Sequence, residues 1–204
     1  MTNYLHHGDL PDTLDLGECV AVDSETMGLN PIRDRLCVVQ LSAGDGDAHL
    51  VKFDGEEYAA PNLRRLLEDE TVTKIFHYGR FDMAAFMMYL DVQTTPVYCT
   101  KIASRLVRTY TDRHGLKDLC RELLGVEMSK KEQSSDWGNS ELTKSQIDYA
   151  ASDVLHLHRL KAALDAMLIR EGRDDLAKAC FDFLPVRATL DLTGWPDIDI
   201  FAHS

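Results

Sequence analysis

Apolar residues fall into two kinds of run along this chain. Glu18 to Val22, Leu36 to Leu41 and His49 to Phe53 are short Val-, Leu- and Phe-rich runs separated by Gly, Asn, Asp and Pro clusters, the pattern of strands joined by turns. They predict an antiparallel three-strand meander. A helix from Pro61 to Glu68 follows, and the next run, Val72 to Phe76, predicts a strand added after a crossover. Beyond it the spacing turns helical. Gly79 to Leu90 carries Phe81, Ala84, Ala85 and Met88 at helical intervals, and Met83, Phe86, Met87 and Met88 read as core. Lys101 to Val107 and Leu116 to Leu124 repeat the pattern, the second closed by Gly125. The longest predicted helix runs from Thr143 to about Arg170, with a Thr143/Gln146 capping box at its start and Gly172 after its end. A last helix, about Asp174 to Leu190, contains Pro185, which predicts a kink or a division. The tail from Thr193 to Ser204 reads as irregular, and the opening segment with His6 and His7 as a mobile terminus. The organisation is that of one α/β domain over residues 1–204, with a mixed central sheet flanked by helices. Its core spans about 18–170 and a C-terminal helical segment about 174–204.

Composition narrows the partners. The 204 residues are 45% hydrophobic and 27% charged, enough for a sizeable core. With 34 acidic against 22 basic residues the net charge is -12, which argues against holding long nucleic acid by a general basic surface. A small or terminal substrate remains open. Residues 45 to 70 carry eight acidic and three basic side chains, whereas 101 to 133 carry eight basic and five acidic, so the second stretch is the candidate phosphate-facing region or else a solvated helix face. Five cysteines with no Cys-x-x-Cys pair fit neither a disulfide framework nor a zinc knuckle. No run approaches the roughly 20 apolar residues of a membrane span. The start, MTNYLHHGDLPDTLD, lacks the basic and apolar regions of a signal peptide, so the expected location is the cytoplasm.

Three short segments carry acids where acids are costly. In Val20-Ala21-Val22-Asp23-Ser24-Glu25, an apolar strand ends in two carboxylates spaced by two, which on a strand share one face. In Tyr149-Ala150-Ala151-Ser152-Asp153, a phenol and a carboxylate four apart look the same way from a helix whose neighbouring residues are small. In Phe76-His77-Tyr78-Gly79-Arg80-Phe81-Asp82, a strand turns into a helix and Asp82 falls in its first turn. Each has a bland reading as a solvent-facing pair or a helix-terminal acid. Together they place four carboxylates and a phenol in a strand, helix, helix order that can converge at one sheet edge. Mutual repulsion there calls for divalent cations. All-oxygen ligation selects hard ions, Mg²⁺ or Mn²⁺, over zinc. Two such ions about 3.5–4 Å apart are the clamp for in-line displacement at a phosphodiester. That is nuclease chemistry.

On these residues the chain resembles the ribonuclease D group of four-carboxylate 3'–5' exonucleases, in the branch whose third motif carries tyrosine. The resemblance runs from Val20 through Leu160 and includes Lys101-Ile102-Ala103-Ser104-Arg105-Leu106, Leu123-Leu124-Gly125-Val126-Glu127 and Lys131-Glu132-Gln133-Ser134-Ser135-Asp136-Trp137. It implies a ribonuclease H-like exonuclease fold. In length and layout the chain looks like the nano-RNase C group, small ribonuclease D-like enzymes that cleave very short oligoribonucleotides, dinucleotides included, to nucleoside 5'-monophosphates. That likeness implies a ring-shaped homo-octamer. The family pattern implies that Asp23, Glu25 and Asp153 hold one ion and Asp23 the second, that Asp82 contributes through bound water, and that Tyr149 orients the attacking water. Since a free phenol titrates near about 10, Tyr149 is expected mainly to position.

Other residues follow from their place beside these motifs. Thr26, Met27, Gly28 and Leu29 succeed the first motif and are expected beside the terminal base and sugar, with Leu29 or Met27 wedged against the base, unless the segment is a simple turn. RNA preference would need a group reading the 2'-hydroxyl, Glu25 or a backbone amide nearby. His77 stands where many relatives carry Asn and is expected to act as a donor to substrate, against the alternative of a histidine satisfied in the core. Gln133, Lys130 and Lys131 are candidate phosphate contacts. His156 and His158 alternate along the long helix and form no metal site. The apolar C-terminal residues Cys180, Phe181, Phe183, Leu184, Val186 and Leu190 either close the core or, with Trp195, make a subunit contact. The leading expectation is a two-metal 3'–5' exoribonuclease acting on short single-stranded RNA. Trimming of structured RNA, or of DNA 3' ends, is the nearest rival, and a non-catalytic RNA-binding module the more distant one.

Overall fold

The structure is a computed structural model that describes residues 2–55, 57–129, 132 and 135–203. Six strands form one mixed sheet, β1 (Asn3–His7), β2 (Cys19–Thr26), β3 (Leu36–Ser42), β4 (Ala48–Lys52), β5 (Thr73–Phe76) and β6 (Val97–Cys99), in the spatial order β1-β4-β3-β2-β5-β6. The meander predicted from the sequence is present, since β2 pairs antiparallel with β3 and β3 with β4. β5 joins β2 in parallel after the crossover helix α1 (Pro61–Glu68). β2 continues four residues beyond the predicted Val22, so both carboxylates of the first motif lie on the strand itself.

Two strands correct the sequence reading. Residues 3–7, expected to be a mobile terminus, form β1 and pair parallel with β4, with His6 opposite Val51. This strand is held by backbone pairing and buries little side-chain surface, so no apolar alternation marks it. β6 is three residues long and pairs parallel with β5. It is too short for a periodicity.

Around the sheet lie α2 (Arg80–Tyr89), α3 (Thr100–Val107), α4 (Leu116–Leu119), α5 (Lys144–Leu155), α6 (Leu157–Glu171) and α7 (Asp174–Leu192). α4 runs on into a wide turn of π type, Cys120–Leu124, which Gly125 ends at φ 68°. Only a residue tolerant of the left-handed region closes a helix in this way. The helix predicted from Thr143 to about Arg170 is two helices that meet at His156, where φ is −107° and ψ −6°. Past the break, the His158 ring sits 3.0 Å from the Cys19 carbonyl at the start of β2. Pro185 does not divide the last helix, which runs unbroken to Leu192.

The core is the two faces of the sheet with the inner sides of the helices. Met83 and Phe86 are fully buried as expected, but Met88 is 48% exposed, because α2 carries its buried residues on the turn from Asp82 to Phe86. The C-terminal apolar set divides between its two readings. Phe181 and Leu184 are buried, whereas Phe183, Val186 and Trp195 are exposed. The five cysteines are unbridged. Among the described residues no helix is long and apolar enough to cross a membrane.

Candidate metal centre and nucleotide cleft

The site is built where β2 passes under α5 and beside the start of α2. On β2, Asp23 and Glu25 point to one face, opposite Gln40 and Val38 of β3. α5 packs across β2, β3 and β4 and brings Asp153 to them. Asp23, Glu25 and Asp153 each offer a carboxylate oxygen within 4.8 Å of the other two. Among the described residues this is the one such group of three or more acid, histidine or cysteine side chains.

Asp82 stands slightly apart, in the first turn of α2, with 4% exposure. The Ser24 hydroxyl donates to its Oδ1 at 2.6 Å. Burial raises the Asp82 carboxyl to about 7, against the lowering effect of that bond. Asp153 is likewise raised to about 7 by burial, opposed by a bond from the Tyr149 phenol and assisted by Asp82. Asp23 and Glu25 are pushed well above the ordinary carboxylate range, first by burial and then by their acidic neighbours. Acids this crowded and partly withdrawn from solvent hold protons unless a cation replaces them. The donor set is oxygen alone, so the residues present fit a hard divalent ion.

Tyr149 lies one helical turn before Asp153. Burial, and then the negative charge of Asp153, Glu25 and Asp23, pushes its phenol far up, so it keeps its proton. The Trp137 ring lies against it with centroids 6.1 Å apart. The helix carrying the pair starts at a capping box. Gln146 Oε1 accepts from the Thr143 N–H at 2.9 Å, and the Gln146 N–H donates to Thr143 Oγ1. Gln146 Nε2 also donates to the Asp136 carbonyl at 3.0 Å, which holds the segment bearing Trp137 against α5.

These groups line a cleft of about 580 Å³. One rim is the predicted loop after β2. Thr26 Oγ1 donates to the Gly28 carbonyl at 2.5 Å, and Asp34 accepts from the Asn30 N–H and from Arg33. A β-carbon at Gly28 would run into the Asp34 carboxylate, so the loop closes this tightly only with glycine there. Leu29, 90% exposed, and Met27 project from this rim into the cleft. The opposite wall is the turn from β5 to α2. There Tyr78 adopts φ 68°, a conformation that costs a non-glycine residue energy. The Lys101 ammonium lies 4.2 Å from the centre of its ring and brings a cation to this wall.

His77 lines the cleft, and its Nδ1 is hydrogen-bonded to Thr100. Thr100 Oγ1 lies 3.1 Å from the Phe76 carbonyl and 2.8 Å from His77 Nδ1, and its single proton serves one of the two. Burial, with Lys101 nearby, drives the ring down to about 3, so it is neutral and carries one N–H. Nε2 is the donor expected from the sequence when Thr100 donates to Nδ1, and an acceptor when Thr100 donates to the carbonyl.

Residues 9–169 match the family described as 3'-5' exonuclease. The chain belongs to this family. Ribonuclease D of Acidiphilium cryptum is 34% identical over 166 residues, 81% of this chain and 42% of that protein. Ribonuclease D of Granulibacter bethesdensis is 35% identical over 154 residues, 76% of this chain and 38% of that protein. The chain spans about two fifths of the length of these curated relatives. Among solved structures, Brucella melitensis NrnC bound to pGG is 56% identical, with a TM-score of 0.97 and 100% of both chains covered. The same Brucella protein with bound Mg²⁺ is 55% identical with a TM-score of 0.95. Escherichia coli RNase D, 24% identical, shares the fold with a TM-score of 0.73 over 84% of this chain and 45% of that one. The ribonuclease H-like exonuclease fold expected from the sequence is therefore the fold observed.

For this exonuclease-family chain, the structure brings Asp23, Glu25, Asp82, Tyr149 and Asp153 to one cleft together with Thr26, Met27, Gly28, Leu29 and His77. Gln133, Lys130 and Lys131 lie outside the described residues. Sequence reasoning passed over Tyr78, Phe81 and Ser24. The aromatic residues flanking the strand-to-helix turn were a signal for the first two. Ser24, pointing away from its acidic neighbours on the strand, gave none.

Proposed function

We propose that this protein is a metal-dependent 3'–5' exoribonuclease that degrades short oligoribonucleotides, dinucleotides included, to nucleoside 5'-monophosphates. The observation that carries the reading is the convergence of Asp23, Glu25 and Asp153 within 4.8 Å on the floor of an open cleft. The likeness over the whole chain to a Brucella protein solved with pGG and with Mg²⁺ supports the short substrate and the hard ion. So does the charge of -12, because a dinucleotide offers few phosphates and needs no long basic track.

In this reading Asp23, Glu25 and Asp153 hold two divalent ions, Mg²⁺ or Mn²⁺, with Asp82 acting through bound water. When bound, such ions acidify a water molecule and neutralise the departing oxygen. Tyr149, which keeps its proton, orients the attacking water and stabilises the ionised Asp153 by its hydrogen bond. Leu29 and Met27 pack on the terminal base without regard to its identity. His77 presents Nε2 to a ribose hydroxyl, which can donate or accept. Water attacks the last phosphorus, the 3' oxygen of the preceding nucleotide leaves, and a 5'-monophosphate departs. The exposed apolar tail, Trp195, Ile198, Ile200 and Phe201, supports assembly into a homo-oligomer, for which an octameric ring is the expected form.

The test is incubation of purified protein with end-labelled RNAs of two to twenty nucleotides in Mg²⁺, Mn²⁺ or chelator. Dinucleotides should be consumed fastest and chelator should abolish turnover. Dinucleotides that survive while hairpins or DNA 3' ends are shortened would overturn the short-RNA reading in favour of precursor trimming or DNA exonuclease activity. Native mass measurement tests the ring.

A further inference from the structure

Gln40 sits at the centre of β3 with no exposed surface, and among the described residues neither its amide nitrogen nor its amide oxygen has a hydrogen-bond partner. A buried amide left unsatisfied costs free energy that an apolar side chain of the same size would not. The ladder narrows what the group is for. Gln40 lies directly opposite Asp23 of β2 on one side and Leu50 of β4 on the other. Directly opposed residues of an antiparallel pair project to the same face with β-carbons about 4.5–5.5 Å apart. Leu50 offers no polar atom. Along β3 the same face carries Val38 and Ser42, and the Ser42 hydroxyl is donated to the Asp47 carbonyl. From α5, which covers this face, Ala150, Ala151 and Val154 are apolar, and Gln146 is committed to Thr143 and Asp136. The ladder neighbour left to receive an amide N–H is Asp23.

We propose that Gln40 is a positioning residue for the metal centre: in the cation-loaded protein its amide donates to the Asp23 carboxylate and holds that carboxylate oriented for the ion. The inference rests on reading Asp23 as a cation ligand. It accounts for a fully buried amide at the β3 position directly opposite Asp23. Partners of ligating carboxylates act in this way on affinity without touching the ion.

The test is Gln40→Met, which keeps length and volume while removing both polar atoms. Cation-free Q40M is expected to melt at or above the wild-type temperature, because an unsatisfied amide has been removed. Its Mn²⁺ affinity, read by calorimetry and by electron paramagnetic resonance, is expected to fall about 10–100-fold. A purely structural glutamine gives the opposite pair of results, a lower cation-free melting temperature with wild-type Mn²⁺ affinity, and that outcome overturns the inference. If Q40M does not fold, a crystal structure of the wild type with Mg²⁺ decides: Gln40 Nε2 within about 3.2 Å of an Asp23 oxygen supports it, and a longer separation overturns it. Wild-type protein that binds no Mn²⁺ would overturn the reading of Asp23 as a ligand, which separates that failure from this one.

Discussion

The Ser24 hydroxyl and the Asp82 carboxylate are joined at 2.6 Å, a bond between the central strand and the first turn of α2. It favours the ionised acid in a place where burial favours the neutral one. Ser24→Ala removes the donor and leaves Asp82 more easily protonated. The acid limb of the pH profile of kcat/KM should move to higher pH. Stability of the cation-free protein at pH 8 should fall by about 1.5–3 kcal/mol, the cost of a hydrogen bond to a charged group, as read from urea unfolding.

Stability of the cation-free protein should itself depend on pH in an unusual direction. Asp82 and Asp153 are raised to about 7 in the fold, above the ordinary carboxylate value. The folded state therefore binds more protons than the unfolded state between about pH 4 and pH 7. Stability is fully present below that window and is lost as pH rises through it. Melting temperature in chelator should drop from pH 5 to pH 8, and added Mg²⁺ should raise it more at pH 8 than at pH 5. A chelated protein that gains stability across this interval would contradict the burial of these acids.

Tyr149→Phe keeps the packing against Trp137 and removes the hydroxyl. On the proposed role of Tyr149 in orienting the attacking water, kcat for a dinucleotide should fall about 10²-fold with KM little changed. Rapid-quench and steady-state assays separate the two parameters.

Leu29 contacts little of its own protein, being 90% exposed. Leu29→Ala should leave the melting temperature unchanged and weaken dinucleotide binding about 10-fold, within the range for loss of one apolar contact to a base. Equilibrium dinucleotide binding in Ca²⁺ measures it directly.

The sequence carried the acidic cluster because two different periods, two on β2 and four on α5, each place a pair of polar groups on a face that is otherwise apolar. Asp82 was legible for the same reason, as an acid opening an apolar helix. β1 was not, since Tyr4, His6 and His7 give no buried alternation and the strand exists through its pairing with β4. The break at His156 is silent because neither glycine nor proline marks it, and the His158 contact to Cys19 that follows it joins residues far apart in the chain. The left-handed Tyr78 is equally silent, as a tyrosine announces no such turn. The His77 contact to Thr100 joins residues 23 apart in the chain, and no local motif reports it.

Gln146 spends its side-chain oxygen on Thr143 and its side-chain nitrogen on Asp136, so one amide sets both the register of α5 and the seat of Trp137. The nine residues between Asp136 and Gln146 are thereby clamped at each end, and length changes inside this stretch would rotate the phenol and acid of α5 out of phase with β2.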